Sequence, residues 1–170
     1  DDRNGDRHYW NVWHSKEPIN SYNKARSRFF SEYGFQSFPE FESVKRYAPY
    51  PEDWDIYSEV MMSHQRGGAH ANGLIETYLL NEYRQPKDFE AFLYMNHVLQ
   101  GDAIKTAIEA HRRDMPYCMG TLFWQHNDCW PVASWASRDY YGRWKAQHYF
   151  ARQAYRDLLV SPIADEEGML

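Results

Sequence analysis

Cysteine is nearly absent: only Cys118 and Cys129 occur in 170 residues. Their spacing is not the C-x-x-C of a zinc or redox site, and apolar neighbours suit both as buried free thiols. No run of eighteen apolar residues occurs, which leaves no membrane-spanning helix to assign, and no charged-then-apolar start reads as a signal peptide. Charge of one sign is not concentrated. With 19 basic and 24 acidic residues the net charge is -5, no basic stripe is present, and nucleic acid is not an expected partner. Eight histidines include no H-E-x-x-H pair, and His64 and His70 flank Gly67-Gly68 without acidic partners, so no metal site is expected. Repeats and low-complexity tracts are missing as well.

Aromatic residues are what the chain has in excess: 18% of it, with 7 Trp and 14 Tyr. Rings bury large areas, which suits a thick core, and their flat faces also match the C–H faces of sugars. At 43% hydrophobic, the chain is globular and of single-domain length.

The segment Ser31-Glu32-Tyr33-Gly34-Phe35-Gln36-Ser37 follows the apolar pair Phe29-Phe30. Ser37 stands three residues before Glu40, with Pro39 between, which is a capping-box arrangement. A strand that runs straight into a helix start with one carboxylate at its end is how a (β/α) barrel presents a catalytic group. Structural ion pairs use the same residue type, so spacing alone leaves Glu32 either catalytic or an anchor.

Around it, residues 5–13 read as a strand entering a loop, with His8 and Trp10 on one face and Tyr9 and Asn11 on the other. Residues 28–33 form the next strand, after a short helical crossover at 19–26. A helix opens near Asp53 with Trp54, Tyr57, Val60 and Met61 on one face. Leu74, Ile75, Tyr78 and Leu79 repeat the spacing after a loop at Gly67-Gly68. From Pro86, the residues Phe89, Phe92, Leu93, Leu99 and Ala103 keep a 3.6-residue period, with Gly101 inside the helix. A third strand is expected at 119–124, and a last helix at 138–159 with Trp144, His148, Ala151, Tyr155 and Leu158 inward, stopped by Ser161-Pro162. The acidic stretch 165–168 reads as a linker. Three parallel strands with crossovers cannot close, and their edges would be open. The fold class is thus α/β: a partial TIM (β/α)8 barrel, its last three βα units (strands about 6 to 8), with an extended helical insertion between the last two strands. Residues 1–160 are assigned to the barrel and 161–170 to a linker, within a longer polypeptide.

In this order the chain contains Gly5-Asp6-Arg7-His8-Tyr9-Trp10, Arg28 to Ser37, His111-Arg112-Arg113, Gly120 to Pro131, and Ser134-Trp135-Ala136-Ser137. Together they resemble the C-terminal half of the catalytic barrel of β-mannosidases in glycoside hydrolase family 2. The resemblance implies a retaining exo-hydrolase acting on terminal β-mannosides or manno-oligosaccharides without a cofactor, packed against the remainder of its own barrel and accessory domains. Glu32 matches the nucleophile at the end of the seventh strand. The acid/base, a Glu after Asn on the fourth strand, has no counterpart, since Asn81-Glu82 falls in a helical pattern. His8 is placed to hold the Glu32 carboxylate, Trp10, ahead of its competitor Tyr9, to face inward, and Trp124 to floor the sugar subsite, with a cis Trp124–Gln125 peptide. Asn127 and Asp128 either reach sugar hydroxyls or tie the loop. Family 2 β-galactosidases and β-glucuronidases share the barrel, and a non-catalytic carbohydrate-binding or scaffold module with a structural Glu32 is the reading from another class. Periplasmic or secreted bacterial relatives and lysosomal animal ones leave the compartment open.

Overall fold

A computed structural model describes residues 3–163; the acidic stretch read as a linker lies outside them. Two short parallel strands form the ordered centre, β1 (Arg7–His8) and β2 (Phe30–Glu32), paired Arg7 to Phe30 and His8 to Glu32. The third expected strand is reduced to a parallel bridge between Phe30 and Thr121. Its ladder is nonetheless long: Met119 N bonds Arg28 O, Phe30 N bonds Gly120 O, Leu122 N bonds Phe30 O, and Trp124 N bonds Tyr33 O. The 119–124 segment therefore lies beside β2, and β2 is the middle of three parallel segments.

Helices fill the connections. The first crossover is a short helix, α1 (Asn11–His14), and a single 3-10 turn at Ile19–Asn23. Then follow α2 (Phe41–Val44), α3 (Glu59–Ser63), α4 (Gly68–Glu82), α5 (Phe89–Arg113) and α6 (Ala146–Ala154). The periodic segments became α4 and α5, because Leu74, Ile75, Tyr78, Leu79, Leu93, Leu99 and Ala103 are all buried. Asp88 starts α5 by accepting from Ala91 N at 2.8 Å, and His111, Arg112 and Arg113 occupy its last turn, where cations complement the helix dipole. Gly101 lets α6 approach α5: a Cβ there would meet the Phe150 ring at 2.8 Å. Arg112 closes the pair by donating to the carbonyls of Ala154 and Arg156, both at 2.6 Å.

Four expectations are corrected. Ser37 caps no helix: α2 begins at Phe41 after Glu40, while Ser37 exchanges backbone bonds with Ser134 and gives its hydroxyl to Gln100. The helix expected from Asp53 is a 3-10 turn, Pro51–Asp53, and α3 starts only after Ser58, whose hydroxyl accepts from Met61 N. The last helix is shorter, because residues 126–145 form bridges (Asn127 with Arg138, Arg138 with Trp144) around a turn at Gly142, φ +85°. Trp144 consequently stacks on His148 under Arg138 at the surface, and Leu158 is exposed. Finally, Cys129 is exposed on the turn after Trp124, while Cys118 is buried.

Two histidines are locked in neutral form. His97 Nε2 donates to Phe38 O at 2.7 Å, and His111 stacks on Phe30 at 3.7 Å with Nδ1 2.7 Å from Thr121 Oγ1. Burial, reinforced by Lys145 and Arg113 respectively, lowers their pKa values to about 4 and about 3. The unfolded chain, with histidines near 6.5, binds protons that the folded chain refuses. Stability should thus be full above pH 6.5 and fall between there and pH 4, by up to about 2.7 kcal/mol per pH unit for the two sites together. Imidazole NMR shifts of both should stay constant down to pH 5; titration of either near 6.5 would contradict its locked state.

Candidate active site

The end of β2 gathers the polar groups. His8 pairs with Glu32 across an irregularity in the ladder between Arg7 and His8. His8 Nδ1 lies 3.5 Å from Glu32 Oε2, and the indole Nε1 of Trp10 donates to that same oxygen at 3.3 Å. Among the described residues none bonds Oε1. The Glu32 side chain is 29% exposed.

Trp10 can do this because the chain turns directly after β1. Tyr9 N bonds Glu32 O at 2.7 Å, and the backbone then enters α1, leaving Tyr9 in the core with its hydroxyl on Glu17. Trp10, the better of the two inward candidates, meets Trp135 edge to face at 6.1 Å. Trp124, 40% exposed, is drawn to the same end of the ladder by its N–H on Tyr33 O, and its bond to Gln125 is cis as expected. Gly34 is the hinge of this cluster. A Cβ there would lie 2.4 Å from the Trp124 carbonyl oxygen and 3.0 Å from both Trp10 Cη2 and Trp135 Cδ1.

Asn127 and Asp128 stand apart. Asn127 is exposed and donates to Asp128 O. Asp128 is 6% exposed, with both oxygens accepting from Ser134 Oγ (2.7 and 2.9 Å) and one also from Gln125 Nε2. Burial raises its pKa. Its contacts tie the turn after Trp124. Asn81-Glu82 is exposed at the end of α4, as the helical pattern implied.

No family model matches the sequence. Individual proteins do. β-Mannosidase B of Aspergillus niger is 35% identical over 164 residues, 94% of this chain and 19% of that protein. Its counterpart in Emericella nidulans is 33% identical over 160 residues, 92% of this chain and 19% of that protein. The crystal structure of β-D-mannosidase from Dictyoglomus thermophilum superposes with a TM-score of 0.85 at 35% identity, covering 90% of this chain and 19% of that one. The chain is homologous to part of the β-mannosidases. It spans about a fifth of the length of the curated relatives it matches.

Three residues around this cluster escaped the sequence reading. Asp6 lies beyond the imidazole of His8, 3.7 Å from Nε2, and accepts from Ser31 Oγ, which holds its carboxyl below the usual range. Asp6 stands two residues before His8, the spacing of one strand face, and that signal could have found it. Gly34 and Lys145 carried no local signal, since their roles depend on segments distant in sequence.

Proposed function

We propose that the chain carries the nucleophile of a retaining exo-β-mannosidase, which removes terminal non-reducing β-D-mannose by double displacement. The observation that carries this reading is the Glu32 carboxylate at the end of β2, its Oε2 accepting from Trp10 Nε1 at 3.3 Å with His8 Nδ1 3.5 Å away. Homology to β-mannosidases supports mannose over galactose or glucuronic acid as the sugar cleaved. The reading takes β1, β2 and the 119–124 segment as strands six to eight of a (β/α)8 barrel.

In the first step Glu32 Oε1 attacks the anomeric carbon, and the bond to the aglycone oxygen breaks as that oxygen takes a proton. In the second, water displaces the carboxylate from the glycosyl ester and gives up a proton. The proton is supplied and later recovered by a second carboxyl, which retaining enzymes hold about 5–5.5 Å from the first. The reading places that group in chain outside these 170 residues, since Asn81-Glu82, the one Asn-Glu pair of the sequence, is exposed at a helix end. Trp10 and His8 fix the direction of attack. The half-exposed Trp124 indole offers a flat face for the C–H side of the sugar.

Incubating the full-length protein with 2-deoxy-2-fluoro-β-mannosyl fluoride should attach one fluoromannosyl group to the peptide bearing Glu32. A label on a different carboxylate reassigns the nucleophile, and a full-length protein without β-mannosidase activity removes the reading altogether.

A further inference from the structure

Lys145 is an unusual residue to find fully enclosed. Only 1% of its surface is exposed, and lysine is almost never buried without partners. Its ammonium donates to two main-chain carbonyls, Ser37 O at 2.8 Å and Ser134 O at 3.2 Å. Those two residues already exchange both backbone bonds, Ser37 N to Ser134 O at 3.0 Å and Ser134 N to Ser37 O at 3.1 Å. The ammonium thus sits over the junction between two segments. One is the exit of β2, five residues past Glu32. The other is the turn after Trp124: Ser134 Oγ holds Asp128, Asp128 accepts from Gln125, and Gln125 N bonds Trp135 O.

We propose that Lys145 is a positioning residue: its ammonium fastens the turn that carries Trp124 to the strand exit that carries Glu32, and so sets their relative placement. This rests on the mannosidase reading only for its effect on rate. Lys145 touches neither Glu32 nor Trp124, and acts through carbonyls. Two aspartates face it, Asp128 and Asp139, and His97 faces it from α5. Around the aspartates stand Arg66, beside Asp128, Arg143, whose N–H bonds Asp139, and Tyr47, near Asp139. Burial lowers the ammonium pKa to about 8, against the pull of both aspartates. Loss of its charge in mildly alkaline solution therefore falls within an accessible range.

The test uses the full-length protein in three forms: wild type, Lys145→Met, and wild type with γ-thialysine at position 145, which keeps the shape but is a weaker base. In the wild type, kcat should decline above neutrality with a midpoint near pH 8. Lys145→Met should lower kcat by about 10- to 100-fold, affect KM less, and lose that alkaline limb. γ-Thialysine should restore activity at pH 7 and move the limb downward, and it decides the matter if the Met variant does not fold. A 5-fluorotryptophan at Trp124 gives a readout independent of catalysis: its 19F resonance should titrate near pH 8 in the wild type and lower with γ-thialysine. A folded Met variant with wild-type kcat, or a limb and resonance that γ-thialysine leaves unmoved, would overturn the proposal. Inactive wild type with a titrating resonance would instead overturn the mannosidase reading and leave the positioning role standing.

Discussion

Glu32→Ala in the full-length protein should lower kcat on an aryl β-mannoside by about three to five orders of magnitude. Covalent catalysis replaces one difficult displacement by two easier ones, and the variant keeps neither. The loss should not come from unfolding, since Glu32 is a partly exposed side chain at a strand end and donates nothing to the core. Its removal leaves Trp10 Nε1 and His8 without their shared oxygen, a cost the nearby solvent can offset. The thermal midpoint should therefore stay close to wild type while activity disappears. Azide, small enough to occupy the vacated space, should restore turnover and yield the inverted α-mannosyl azide. A variant that keeps even a tenth of wild-type kcat would exclude Glu32 as the nucleophile.

The second large effect is expected at a residue with no functional group. Gly34→Ala would place a methyl 2.4 Å from the Trp124 carbonyl oxygen, and that neighbour is backbone, not the free end of a side chain. One residue away, Trp124 N is bonded to Tyr33 O at 2.7 Å, so the carbonyl cannot retreat without stretching the ladder. On the other sides stand the edges of Trp10 and Trp135, each 3.0 Å from the new carbon. Overpacking of this kind costs about 1–3 kcal/mol. The larger consequence is positional: Trp10 would be pushed from Glu32, and a displacement of about 1 Å at such a site can cost about 100-fold in rate. The expected signature is a modest fall in melting temperature with a large fall in kcat. Unchanged kcat in a folded Gly34→Ala protein would mean that this convergence does not hold the site.

What could be read from the sequence follows from the range of the forces involved. The β2 segment and α5 were legible because an apolar pair at a strand and a 3.6-residue period are signals carried by neighbouring residues. Homology through the ordered motifs was legible for the same reason: each motif is local. Residues 126–145 were not. Their spacing suits a helix from Arg138, yet Asp139 accepts from Arg143 N at 2.9 Å, and such side-chain bonds compete with helical ones. Ser37 illustrates a second failure. Its local pattern is that of a cap, but Ser134, almost a hundred residues on, took its backbone instead. In the candidate site, Glu32, His8 and Trp10 came from strand ends and motif order, while Asp6 was overlooked despite standing two residues before His8. Gly34 and Lys145 could not have been read at all, because what each touches is decided by how distant segments meet.

The ladder also has a kinetic side. Trp10 and Glu32 are 22 residues apart, whereas Tyr33 and Thr121, joined at 2.7 Å through their hydroxyls, are 88 apart. Closing a loop four times longer costs about 1.2 kcal/mol more in chain entropy. The β1–β2 pair can therefore meet early, while the 119–124 segment must wait for something to shorten the path to it. The long helix α5 does that: once formed, it carries the chain across in a rigid span and delivers His111 against Phe30. The helices between β2 and the 119–124 segment thus shape the order of folding, because the last pairing is slow to arrive without them.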